Sequence, residues 1–200
     1  MTTGLIVALA RFLSGASVRW VGCLPEPRQR IYFANHTSNL DTVVLWAALP
    51  PEVRAHTRPV AARDYWSRGR VRRHLATRVF NAVLIERQKI SARTNPVAQM
   101  LAALDEKASL ILFPEGGRQT GPEMAPFKSG LYHLARKRPD VELIPVLIDN
   151  LNRILPKGEV LPVPVLSGIS FGAPVRLETN EAKAAFLERT RAAVQQLRQT

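Results

Sequence analysis

Between Ile31 and Phe171 short, β-prone apolar runs alternate with helical ones, and this exchange constrains the fold more than any other feature of the chain. The β-type runs are Ile31–Ala34, Pro59–Ala62, Ala82–Ile85, Ser109–Phe113, Leu143–Ile148 and Ser167–Phe171. Helical spacing recurs in Leu40–Leu49, Pro96–Leu104 and Lys128–Arg136, and again in a last helix near Asn180–Leu197. Such alternation predicts an α/β fold, a single-domain mixed sheet flanked by helices. With 200 residues, 46% of them apolar, the chain can bury one sizeable core but is too short for two ordinary domains. The Pro-punctuated stretch Leu155–Pro164 reads as an extended loop.

Ahead of the first β run, Leu5, Leu9, Phe12, Leu13 and Ala16 recur at helical spacing. They predict an amphipathic helix ending near Gly22, before the Pro25–Pro27 punctuation. The expected organisation is therefore an N-terminal helix over residues 1–24 and an α/β domain over 25–200. The helix has two possible seats, a membrane surface or the domain itself, and its pattern suits both. No window reaches the ~18 uncharged apolar residues of a spanning helix, because Arg11 and Arg19 interrupt the first stretch. A secretory signal is not recognised either, so residues 1–22 are expected to stay on the mature protein and the active part to face the cytoplasm. Cys23 is the single cysteine, which excludes an intramolecular disulfide and a cysteine-based zinc motif.

Two clusters carry chemistry. In Asn35-His36-Thr37-Ser38-Asn39-Leu40-Asp41 a β run turns into a helix, the place where α/β proteins put their reactive groups. Within one regular helix His36 and Asp41 would point about 140° apart. They can meet only if His36 precedes the helix, with Ser38 as N-cap and Asp41 at the third helical position. An imidazole backed by a carboxylate accepts a proton from an alcohol, so the pair would activate a hydroxyl on a substrate. The alternative is a capped helix with a surface histidine. The second cluster, Phe113-Pro114-Glu115-Gly116-Gly117-Arg118 with Phe127-Lys128-Ser129-Gly130, follows another β run. Gly116 and Gly117 permit close backbone approach, while Glu115, Arg118 and Lys128 supply charge suited to a head group. Arg87 closes a third run, Leu84-Ile85-Glu86-Arg87, where a guanidinium could grip phosphate.

In order and spacing these clusters resemble the glycerolipid acyltransferase superfamily, over about Ile31 to Phe171. Asn35-His36-x-Ser38-x-x-Asp41 agrees with that family's first motif at every defining position. Asn81 to Arg87 resembles the second, with Asn81 and Leu84 in place of glycine and phenylalanine. Phe113 to Arg118 resembles the third, with Gly117 and Gln119 in place of threonine and serine, and Leu143-Ile144-Pro145-Val146 resembles the fourth. The resemblance implies that His36 is a general base oriented by Asp41. It also implies that Arg87, Glu115 and Arg118 bind the acceptor's head group, beside Gly116, Gly117 and Lys128. The implied reaction moves a fatty acyl group from acyl-CoA or an acyl carrier protein to a lysophospholipid hydroxyl, most simply 1-acylglycerol-3-phosphate. A lyso-ornithine lipid acceptor and a non-catalytic lipid-binding role are the alternatives. No cofactor beyond the thioester co-substrate is expected and no metal, since His56, His74 and His133 lack partners at ligand spacing.

Charge bears on the partner. The formal net charge of +12 implies an anionic one, and eight arginines fall between Arg54 and Arg78. At about 1 kcal/mol per basic residue near an anionic leaflet, half of them would help hold the chain on a membrane. The expected location is the cytoplasmic face of the inner membrane, peripheral or monotopic. The same stretch would alternatively dock an acidic carrier protein. No nucleic-acid motif is recognised, and a nucleic-acid partner is not expected.

Overall fold

The computed structural model describes residues 2–86, 95–119, 121, 123–151 and 167–199. Seven strands, β1 (Ser17–Trp20), β2 (Arg30–Ala34), β3 (Thr57–Ala62), β4 (Val83–Ile85), β5 (Ser109–Leu112), β6 (Glu142–Asp149) and β7 (Gly168–Phe171), make one sheet in the order β1-β7-β6-β2-β5-β3-β4. The five strands from β6 to β4 are parallel to one another. β7 runs antiparallel to β6, and β1 lies parallel to β7 on the outer edge. The mixed sheet agrees with the alternation in the sequence.

Side-chain alternation along β2 divides the interior into two layers. Ile31 and Phe33 face a layer built with Leu110, Leu143, Leu131 and Phe186, covered by α6 (Pro96–Asp105), α7 (Gly130–Lys137) and α8 (Lys183–Gln196). Tyr32 and Ala34 face the other, built with Ile111, Ile144, Phe171, Leu45 and Trp46 beneath α2 (Asp41–Ala48). Each fully buried leucine or phenylalanine adds about 1.5–3 kcal/mol, which makes these layers the main stabilising term. Helix boundaries follow local chemistry: Asn95 Oδ1 accepts from the Val97 amide at 3.0 Å and Pro96 opens α6 where no amide is needed.

The N-terminal helix departs from the expected 1–24. α1 spans Thr2–Ser14 and stops there; Ser17–Trp20 is the edge strand β1, registered against Gly168–Phe171, so the α/β domain begins before residue 25. Trp20 stacks on Phe171 with ring centroids 3.9 Å apart. α1 uses both of its faces. Val7 and Ala10 are buried against α2 and Arg11 Nε donates to Ala47 O at 3.1 Å, whereas Leu5, Leu9 and Phe12 are exposed, Phe12 to 84%. Among the described residues no helix is long and apolar enough to cross a membrane. Leu155–Pro164 lies outside the described residues.

The arginine-rich stretch comprises α3 (Pro51–Ala55), α4 (Arg63–Trp66) and α5 (Arg70–His74), the last running into a π-helical turn over Leu75–Val79. There the Phe80 amide donates to Leu75 O at 2.9 Å, five residues back.

Candidate active site

β2 delivers Asn35 and His36 at the carboxyl end of the parallel strands, the edge where open α/β sheets hold ligands. The turn that follows is pinned from several sides. Asn35 Nδ2 donates to Ile148 O and its Oδ1 accepts from the Ile148 amide, both at 2.8 Å, so the side chain ties the turn to β6. The His36 amide donates to Glu115 Oε1 at 2.7 Å, and His36 O accepts from the Gln119 amide at 2.9 Å. The imidazole stacks on Phe113, centroids 4.3 Å apart.

Asp41 organises the turn. Its Oδ2 accepts from the Thr37 amide at 2.7 Å and the Ser38 amide at 2.8 Å, and lies 2.8 Å from His36 Nδ1. A carboxylate only accepts, so Nδ1 carries the proton and Nε2 keeps its lone pair for the cavity that the ring lines. The expected cap is corrected here. Asp41 is the first residue of α2 rather than the third, and the Ser38 hydroxyl receives the Leu40 amide at 3.2 Å without capping the helix. The dyad forms because the carboxylate folds back over the turn. At the N-terminus of α2 its charge also meets the positive end of the helix dipole.

The cavity in front of His36 measures about 180 Å³ and is walled by Asn39, Thr42, Ala62, Tyr65, Phe113 and Arg118 among others. A second cavity of about 360 Å³ shares Ile85, Leu112, Phe113 and Gly116 with it and continues between Val97, Met100 and Leu131, with Lys128 on its wall. Gly116 stands at their junction with φ +74°, and a Cβ there would lie 2.6 Å from Lys128 Nζ. The Lys128 amide donates to Pro114 O at 2.8 Å, which fixes the strand of chain carrying that ammonium over the glycine. Gly117 and the exposed Arg118 line the first cavity, and Arg87 lies outside the described residues.

Glu115 is placed elsewhere. It is 5% exposed, its Oε1 holds the His36 amide and its Oε2 the Ala125 amide at 2.9 Å, so both oxygens are taken by backbone and neither reaches a head group. Burial pushes its carboxyl above the usual range, against the two amide bonds and the nearby His36, which favour the charged form. Glu115 is thus a brace between two loops. Glu115→Gln would set an amide NH2 against one of those N–H donors, and a buried unsatisfied donor costs about 1–3 kcal/mol. The expected result is a lower thermal midpoint with reduced kcat and a nearly unchanged KM for the acceptor; an unaltered midpoint and rate would remove the brace.

The sequence alone assigned no role to Asn35 as a tie to β6. Nor did it foresee the bond from Tyr65 Oη to Asn39 Oδ1 at 3.1 Å, which brings the middle of the arginine-rich stretch to the cavity wall. The signal for the latter was an aromatic pair, Tyr65-Trp66, among arginines. Among the described residues no group of three His, Cys, Asp or Glu side chains could hold a metal ion.

The chain is 28% identical over 151 residues to 1-acyl-sn-glycerol-3-phosphate acyltransferase alpha of Ovis aries, covering 73% of this chain and 50% of that protein. It is 29% identical over 137 residues to 1-acyl-sn-glycerol-3-phosphate acyltransferase of Escherichia coli K12, 62% of this chain and 51% of that one. It therefore spans about half the length of these curated relatives. The crystal structure of the 1-acyl-sn-glycerophosphate acyltransferase PlsC from Thermotoga maritima superposes with a TM-score of 0.72 at 20% identity, over 99% of this chain and 80% of that one, a likeness of fold. The family described as Acyltransferase matches residues 21–149, from just after β1 to the end of β6 and across the His36 and Glu115 loops, and the chain belongs to that family.

Proposed function

We propose that the chain is an O-acyltransferase that moves a fatty acyl group from a thioester to the free hydroxyl of 1-acylglycerol-3-phosphate, giving phosphatidic acid. The observation that carries this reading is the 2.8 Å contact between His36 Nδ1 and Asp41 Oδ2 on the wall of a cavity shared with Arg118. His36 Nε2 takes the proton of the acceptor hydroxyl, and the oxygen attacks the thioester carbonyl. The tetrahedral intermediate then collapses to an ester, expelling a thiolate that recovers the proton from the imidazolium. Arg118, Lys128 and Arg87 supply positive charge for the phosphate of the acceptor, while Gly116 and Gly117 let it approach the backbone. The second cavity, lined by Val97, Met100 and Leu131, suits an acyl chain.

The names of the relatives support the acceptor. A net charge of +12 and the outward Leu5, Leu9 and Phe12 of α1 support a peripheral or monotopic seat on an anionic membrane, the cytoplasmic face of the inner membrane in a bacterial cell. The deciding experiment offers oleoyl-CoA and an acyl carrier protein thioester to the purified chain in lipid vesicles, against a panel of lyso-lipids that includes lyso-ornithine lipid. Phosphatidic acid formed only when His36 is present establishes the reaction. Product from another lyso-lipid alone would move the acceptor, and none from any would leave a non-catalytic lipid-binding role.

A further inference from the structure

We infer that the exposed face of α5 and the π turn is the docking surface for an acidic carrier protein that brings the acyl group on a phosphopantetheine arm. The inference rests on the acyl-transfer reading above and names the partner that delivers the donor to that site. From Tyr65 to Ile85 the chain has five arginines and no aspartate or glutamate. Arg68, Arg70, Arg73 and Arg78 are exposed and make no ion pair among the described residues. The patch reaches the reactive centre through a continuous set of contacts: the Arg72 guanidinium sits 4.5 Å from the Tyr65 ring centroid, Tyr65 Oη bonds Asn39, and both Tyr65 and Asn39 wall the His36 cavity. A partner resting on these arginines therefore stands at the rim of the site, where a thioester arm can enter.

The distribution of apolar groups selects a protein over a lipid surface. An interfacial helix turns an apolar face outward to the acyl region and flanks it with basic residues. Here Ala76 and Phe80 are buried and Leu75 and Val79 pack against the core, leaving Val71, 73% exposed, as the outward apolar side chain among the arginines. The face that fits lipid is on α1 instead, with Leu5, Leu9 and Phe12. Nor does the patch have the size of a single phosphate site. Ten residues at 1.5 Å rise make it about 15 Å long, a helix-sized strip. Charge complementarity over such a strip raises association rate and selectivity for an acidic partner, and salt weakens it.

The test reverses two charges that line neither cavity of the site, R70E with R73E, in the full chain. Transfer to 1-acylglycerol-3-phosphate is measured with the acyl carrier protein thioester and with oleoyl-CoA, and binding of the fluorescently labelled carrier is measured by anisotropy. The expected result is a loss of about tenfold or more in kcat/KM for the carrier-bound donor, together with weakened carrier binding, in line with the cost of placing like charges across an interface. With oleoyl-CoA the rate stays within about twofold, as does binding to anionic vesicles, because neither uses the strip. An equal loss with both donors, or lost vesicle binding, would reassign the patch to a phosphate or a membrane and overturn the inference while the acyl-transfer reading stands. An unchanged carrier-donor rate would overturn it as well. Absence of transfer from either donor in the unaltered chain would bring down the acyl-transfer reading, and the inference with it.

Discussion

His36→Ala is expected to lower kcat by about 10³-fold or more, within the range of losses when a positioned general base is removed, with the acceptor KM nearly unchanged. Proton transfer and acceptor binding fall to different side chains. On the proposed mechanism His36 contributes a lone pair to proton abstraction, whereas the positive charge offered to the acceptor is that of Arg118 and Lys128, which line the two cavities from a different part of the chain. The fold should survive the change. The side chain is 19% exposed and its loss removes one ring stack on Phe113 and one bond to Asp41. Asp41 keeps the Thr37 and Ser38 amides, and the Glu115 and Gln119 bonds to residue 36 involve only backbone. A midpoint shift of a few degrees, with near-complete loss of turnover, is the expected pair of results. Turnover within tenfold of the parent, measured on a folded variant, would show that another group takes the proton.

How much of this site was legible in the sequence depended on how local the determinants are. The dyad lies within six consecutive residues, so the requirement that His36 precede the helix could be deduced from helical geometry. The exact start of α2 could not, because Asp41 spends its oxygen on the Thr37 and Ser38 amides instead of following a Ser38 cap. β1 was hidden for a related reason: Ser17–Trp20 is a short, exposed edge strand that continues a helical apolar pattern, and its partner Gly168–Phe171 is some 150 residues away. The role of Glu115 was the hardest to read. Charge beside two glycines suggests a ligand site, but its partners are the amides of His36 and Ala125, met only when β2 and β5 lie side by side. The central strands were readable because each carries a continuous apolar run, Ile31–Ala34, Pro59–Ala62, Leu110–Leu112 and Leu143–Ile148, while their order in the sheet comes from long-range packing that no local pattern encodes.

Asp41→Asn carries the second large effect, and the geometry leaves the asparagine no good orientation. If its carbonyl takes the place of Oδ2, the bonds from Thr37, Ser38 and His36 Nδ1 survive, but the NH2 falls where Oδ1 now lies. That oxygen is buried and has no hydrogen-bond partner, so the amide would be unsatisfied, and the negative charge that stabilises the imidazolium would be gone. If the amide is reversed, its NH2 faces two backbone donors and can serve His36 only by donating to Nδ1. The ring proton then moves to Nε2, the nitrogen that must accept the proton of the hydroxyl. Either way kcat is expected to fall by about 10²–10⁴-fold, the range between losing electrostatic support and holding the wrong tautomer. Because Asp41 acts through His36 and is itself 0% exposed, the losses should not multiply. The double variant should turn over no more slowly than His36→Ala alone. Losses that multiply would mean that Asp41 reaches the substrate independently, and the dyad would have to be replaced by two separate contacts.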